Sequence, residues 1–99
     1  MAKKKLAPIH PGEILREEFL EPLELTPYAL AKRLKVPRTR IERLAREEIG
    51  ISPDTARRLA IAFKTTPLFW LNLQAAYEAD LAEDLIDDTY AEIEPLNAA

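Results

Sequence analysis

The sequence contains no cysteine, so disulfides and thiolate metal sites are excluded, as suits a chain kept in a reducing compartment. His10 is the only histidine, which excludes any two-histidine zinc site, the HExxH peptidase arrangement included. Glycine is almost as scarce: Gly12 and Gly50 cannot make a glycine-rich phosphate loop. No apolar run approaches the roughly 20 residues that span a bilayer. The opening MAKKKLAPIH is basic but lacks the apolar stretch of a secretory signal. Acidic pairs such as Glu83-Asp84 and Asp87-Asp88 have no histidine or basic companion and read as solvated surface rather than as an acid–base pair. His10 has no identifiable partner and reads as helix-start packing. No catalytic residue, metal ligand or cofactor is assigned, and a soluble cytoplasmic protein is expected.

What the chain does have is charge, unevenly placed. Its 14 basic and 17 acidic residues give a net charge of −3. Residues 1–25 sum to −1, residues 26–64 to +6, and residues 65–99 to −8 with no basic side chain at all. Attraction to phosphate follows the local field, not the average. The middle segment therefore points to nucleic acid, and the acidic end to some other task.

Helix starts are well marked. Thr26-Pro27, Ser52-Pro53 and Thr66-Pro67 each set a hydroxyl N-cap before proline at the first helical position, where a missing N–H costs nothing. Together with apolar periodicity they predict helices at about 12–20, 27–34, 38–46, 53–64 and 67–86, without β alternation or internal repeats. This is an all-α domain over residues 9–86, with a flexible basic segment 1–8 before it and an acidic, mobile tail 87–99 after it. In the first helix Ile14, Leu15, Phe19 and Leu20 oppose exposed Arg16, Glu17 and Glu18. Gly50 is expected to supply a left-handed turn between the third and fourth helices. The last helix carries two apolar stripes: Trp70, Leu73, Tyr77, Leu81 and Leu85, and beside it Leu71, Ala75, Ala79, Ala82 and Ile86. Burying a large apolar side chain contributes ~1.5–3 kcal/mol, so the second stripe predicts a dimer interface, unless both stripes meet the same core.

Residues 27–46 read as a helix-turn-helix. Leu30, Ala31 and Leu34 share a face of one helix, Val36 sits in the turn, and Ile41 and Leu44 line the inner face of the next. That second helix turns outward Arg38, Thr39, Arg40, Glu42, Arg43 and Arg46, a surface suited to the major groove of DNA. Candidates for base contact are Arg38, Thr39, Arg43 and Glu42. Candidates for phosphate, or ambiguous, are Thr26, Lys32, Arg33, Lys35, Arg40 and Arg46. A module this small usually acts as a twofold dimer on a palindromic operator, with half-sites roughly 34 Å apart. An arginine-rich solubilising face on a protein-interaction module stays open as the alternative.

The flanking residues are similar to a known family. Ile9-His10-Pro11-Gly12-Glu13-Ile14-Leu15, Glu18-Phe19-Leu20-Glu21-Pro22-Leu23 and Tyr28-Ala29-Leu30-Ala31 resemble HigA-type antitoxins of the Xre/Cro-like helix-turn-helix superfamily. The match continues through residues 50–60 and 66–74, so it covers about residues 9–80. The resemblance implies a five-helix, lambda-repressor-like DNA-binding fold that dimerises, and the second stripe assigns that dimer to the C-terminal helix. It also implies an antitoxin that represses its own operon and binds a RelE-like, mRNA-cleaving toxin of the HigB type. A stand-alone regulator of the same fold would carry the same residues. A basic toxin would give the acidic end a partner; shielding against non-specific DNA is its other expected role. Three positions depart from the family pattern. Glu24 and Lys35 stand where glycine is frequent, and Pro27 replaces a glutamine that often contacts phosphate.

Overall fold

The computed structural model describes residues 7–83 and 87–97. Leu85 and Ile86 of the two stripes, and the lysines of the basic N-terminal segment, lie outside the described residues.

His10 opens the first helix, its Nδ1 accepting the Gly12 N–H at 2.9 Å. Helix α1 begins as an α-helical turn, Pro11–Ile14, and widens into π-helical Leu15–Leu20. The Glu21 N–H reaches back five residues to the Arg16 carbonyl at 3.0 Å. That wider repeat lets Leu15 and Leu20, five apart, both be buried. Then follow α2 (Pro27–Leu34), α3 (Arg38–Ala45), α4 (Pro53–Phe63), α5 (Pro67–Glu83) and a 3-10 turn at Asp88–Glu92. The hydroxyl caps form as expected: Thr26 accepts from the Ala29 N–H at 3.0 Å, Ser52 from Thr55 at 3.2 Å and Thr66 from Phe69 at 3.1 Å. Helix α3 stops one residue short of the expected end, with Arg46 as its cap.

Leu15, Leu30, Ile41, Leu44, Leu59 and Trp70 are wholly buried and form the core between the helices. Ala31, 1% exposed, is the small residue between the closely packed α2 and α3. Trp70 packs against Phe19 at 4.9 Å between ring centroids and donates its indole N–H to Thr65 Oγ1 at 2.8 Å. A polar atom that must be buried is thereby paired.

The first four helices end alike. Glu24, Lys35, Glu47 and Lys64 sit at φ of 50°, 62°, 64° and 57°. In each case the following N–H bonds a carbonyl five residues back: Leu25 to Leu20, Val36 to Ala31, Glu48 to Arg43, Thr65 to Ala60. This is the left-handed helix stop that glycine usually makes. Neither glycine is used for it, which corrects the expectation for Gly50. A β-carbon at Gly50 would come within 2.6 Å of Gln74 Oε1, which accepts the Ile51 N–H at 2.8 Å. One at Gly12 would overlap the Leu44 carbonyl oxygen. Both glycines permit close approach between elements, not unusual torsion.

Along α5, Trp70 is buried and Leu73 and Tyr77 are half-buried, but Leu81 is already exposed. From the second stripe, Leu71 packs on the core while Ala75, Ala79 and Ala82 are exposed. Residues 78–83 are all exposed, so the helix outruns the domain that supports it.

Candidate nucleic-acid interface

Helix α3 is anchored by Ile41 and Leu44, both at 0% exposure, and this register turns Arg38, Thr39, Arg43 and Arg46 to solvent. Its start is fixed by the left-handed stop at Lys35 and by Pro37, which cannot continue α2. Lys32, Arg33 and Lys35 are exposed along the end of α2, and none is in an ion pair among the described residues.

The arginines of α3 have different surroundings. Arg38 Nε lies 3.3 Å from Glu42 Oε2, and its guanidinium sits 5.5 Å from the centre of the Tyr28 ring. Arg43 and Arg46 both approach Glu48, at 3.5 and 3.9 Å. The two pairings with Glu48 are exposed, worth ~0–1 kcal/mol each, and a phosphate or base edge can replace them. Arg40 is different. Its Nη1 lies 2.6 Å from Asp54 Oδ2, and the same oxygen takes Arg58 Nε at 3.0 Å. Arg58 Nη1 in turn donates to the Leu34 carbonyl at 2.8 Å. Arg40 therefore helps brace α3 against α4 and the end of α2. Hydrogen bonds from Arg40 and Arg58 hold the Asp54 carboxyl below the usual carboxylate range.

Two more candidates are partly committed. Thr26 Oγ1 caps α2, leaving its hydroxyl proton for an outside acceptor. Glu42 is held by Arg38, so it would have to release that arginine to accept from a cytosine amine.

Sequence reasoning passed over several residues that shape this surface. Arg16, read as exposed, is half-buried: its Nη1 donates to the Ala45 carbonyl at 2.6 Å and its Nη2 meets Glu47 at 3.2 Å. It thus ties α1 to the end of α3 and satisfies an otherwise open helix-terminal carbonyl. Tyr28 acts on Arg38 across a turn; Asp54 and Arg58 form an i,i+4 pair that the spacing could have flagged, but their links to Arg40 and to the Leu34 carbonyl span at least fourteen positions. Among the described residues no cluster of His, Asp and Glu is arranged to hold a metal ion. No helix there is long and apolar enough to cross a membrane.

Comparisons with known proteins give the chain its family. A helix-turn-helix family model matches residues 17–71. Virulence-associated protein I of Dichelobacter nodosus is 49% identical over 81 residues, covering 82% of this chain and 75% of that protein. Antitoxin HigA-1 of Vibrio cholerae is 41% identical over 78 residues, covering 79% of this chain and 73% of that protein. The solved structure of Pseudomonas aeruginosa antitoxin HigA with the higBA promoter has a TM-score of 0.83 and 46% identity, covering 91% of this chain and 99% of that one.

Proposed function

The chain belongs to the helix-turn-helix family, in its HigA-type antitoxin group, and from that premise we propose that it binds operator DNA, represses its own operon and neutralises a RelE-like toxin. The observation that carries the DNA half is α3 itself: a helix locked by Ile41 and Leu44 that presents Arg38, Thr39 and Arg43 outward beside the exposed cations of α2. In this reading Arg38, Thr39 and Arg43 meet base edges in the major groove, with Glu42 beside them. Lys32, Arg33, Lys35, Arg46 and Thr26 meet phosphate, and Arg40 holds the helix in place. Two copies joined through α5 would occupy the halves of a palindromic operator in the cytoplasm.

The toxin half rests on the family name and on charge. An RNA-cleaving partner is expected to be basic, and the chain after residue 64 carries eight acidic residues and no basic one.

Titration of the chain's own promoter DNA against a random duplex, at several salt concentrations, tests the DNA half. Arg38→Ala and Arg43→Ala are expected to erase preference for the promoter. Lys32→Ala and Arg33→Ala should weaken both duplexes alike and flatten the salt slope by about 0.9 for each phosphate no longer neutralised. Equal losses on both duplexes for the first pair would overturn the base assignment. Purification from the native operon tests the toxin half: a small basic protein is expected to co-purify, and its absence would leave a stand-alone regulator.

A further inference from the structure

We propose that Tyr28 is a specificity-positioning residue, which with Glu42 fixes the Arg38 guanidinium so that its Nη1/Nη2 edge is offered to a guanine. The inference rests on the DNA-binding reading above and adds to it a residue, a geometry and a base.

Arg38 opens α3 and its side chain is 63% exposed. An exposed arginine ordinarily samples many rotamers, and reading a base in one of them costs that freedom. Here two neighbours on opposite sides of the turn restrict it. Tyr28, in the first turn of α2 and 50% exposed, lies with its ring centre 5.5 Å from Arg38 Cζ, within range for a cation–π interaction. Glu42, one turn along α3, places a carboxylate oxygen 3.3 Å from Nε as an ion pair.

The pairing with Glu42 determines which edge remains. A guanidinium can offer a fork made of Nε and one Nη, or a fork made of both Nη atoms. With the Glu42 carboxylate on the Nε side, the fork turned away from it is the Nη pair, which matches the O6 and N7 acceptors of guanine in the major groove. Glu42 is then a holder of Arg38, not a reader of cytosine. Tyr28 needs its ring for this and not its hydroxyl. The only other use of an exposed tyrosine here that bears on DNA, donation of its O–H to phosphate, makes the opposite prediction for phenylalanine.

Fluorescence anisotropy on the promoter duplex and a random duplex, with wild type, Tyr28→Phe and Tyr28→Ala, tests the proposal. Each Tyr28 variant is also made with Arg38→Ala. Tyr28→Phe is expected to bind both duplexes as wild type does. Tyr28→Ala should lose about threefold to fivefold on the promoter, with random-duplex affinity and salt slope unchanged. In the Arg38→Ala background, Tyr28→Ala should cost nothing more. A scan of the promoter with 7-deazaguanine, which lacks N7, should find a position that penalises wild type and not Arg38→Ala.

Equal losses for Tyr28→Phe and Tyr28→Ala would overturn the proposal in favour of a hydroxyl bond to phosphate. A Tyr28→Ala loss shared by both duplexes, or persisting without Arg38, would overturn it in favour of a general structural role. If wild type shows no promoter preference, the DNA-binding reading fails and takes this one with it. If wild type shows that preference and Tyr28→Ala leaves it intact, only this inference fails.

Discussion

A neutral imidazole stands where α1 needs an acceptor. His10 is 5% exposed, accepts the Gly12 N–H through Nδ1 and packs edge-on against Tyr77 at 4.7 Å. Burial lowers its pKa and the nearby Arg16 charge adds to that, outweighing Glu47 and a hydrogen bond with the Ile49 backbone. Protonation would turn Nδ1 into a donor facing another donor, so the cap disappears with the proton's arrival. The folded pKa lies below the ordinary value of about 6.5, so the unfolded chain binds this proton more readily. The stabilisation is therefore full above that value and is lost as pH falls through it toward the folded pKa. Asp54 and Asp87 are also held low and act only further down in pH. The melting temperature is expected to fall between about pH 7 and pH 5. His10→Asn, which keeps an acceptor at the cap, should flatten that stretch of the curve. Parallel curves for the two proteins would remove His10 as the cause.

At the scale of the element, the turn between α2 and α3 sets the pose of the DNA-facing helix with a residue poorly suited to its torsion. Lys35 holds φ of 62° with an exposed side chain, where a β-carbon costs about 1 kcal/mol relative to glycine. Lys35→Gly is expected to stabilise by that amount and raise the melting temperature by about 4–8 °C. Lys35→Ala keeps the β-carbon and should gain nothing; an equal gain from alanine would show that the torsion is not the source. Lysine at this turn gives up stability and keeps a cation at the proposed phosphate face.

Elements were legible where their signals are short-range. A hydroxyl followed by proline marks a helix start within two residues, and the 3.6-residue period placed Ile41 and Leu44 inward and the arginines outward. The left-handed torsion at Glu24 and Lys35 was signalled only by the resemblance to a family pattern in which glycine is frequent at those positions; Glu47 and Lys64 gave no such clue. What stayed hidden depends on partners distant in the chain. Arg16 looked like surface because its acceptor, Ala45, is 29 residues on. Gly50 looked like a torsional hinge because nothing local shows that Gln74 needs the space. Likewise the period gives the face of α3 that Arg40 occupies, but not the carboxylate of α4 that claims it.

For the whole molecule, stability turns on α5. Its first half is held by Trp70, Leu71, Leu73 and Tyr77, yet the helix runs on through Glu83 with residues 78–83 all exposed. Isolated helical turns are marginal in water without a packed face. The exposed residues include Leu81 and the small series Ala75, Ala79 and Ala82, which would let a second helix approach closely. A twofold pairing of α5 with its copy would support these turns and set two α3 helices on successive half-sites. Ala79→Arg places a long charged side chain in the middle of that face without touching the buried core. Sedimentation equilibrium is expected to show a dimer for wild type and a monomer for this variant, with the melting of the isolated domain little changed. Affinity for the full promoter should then drop to that of a single half-site, because the two halves are no longer bound as one linked unit. A variant that sediments with the wild-type mass and retains full promoter affinity would place the dimer interface on another surface.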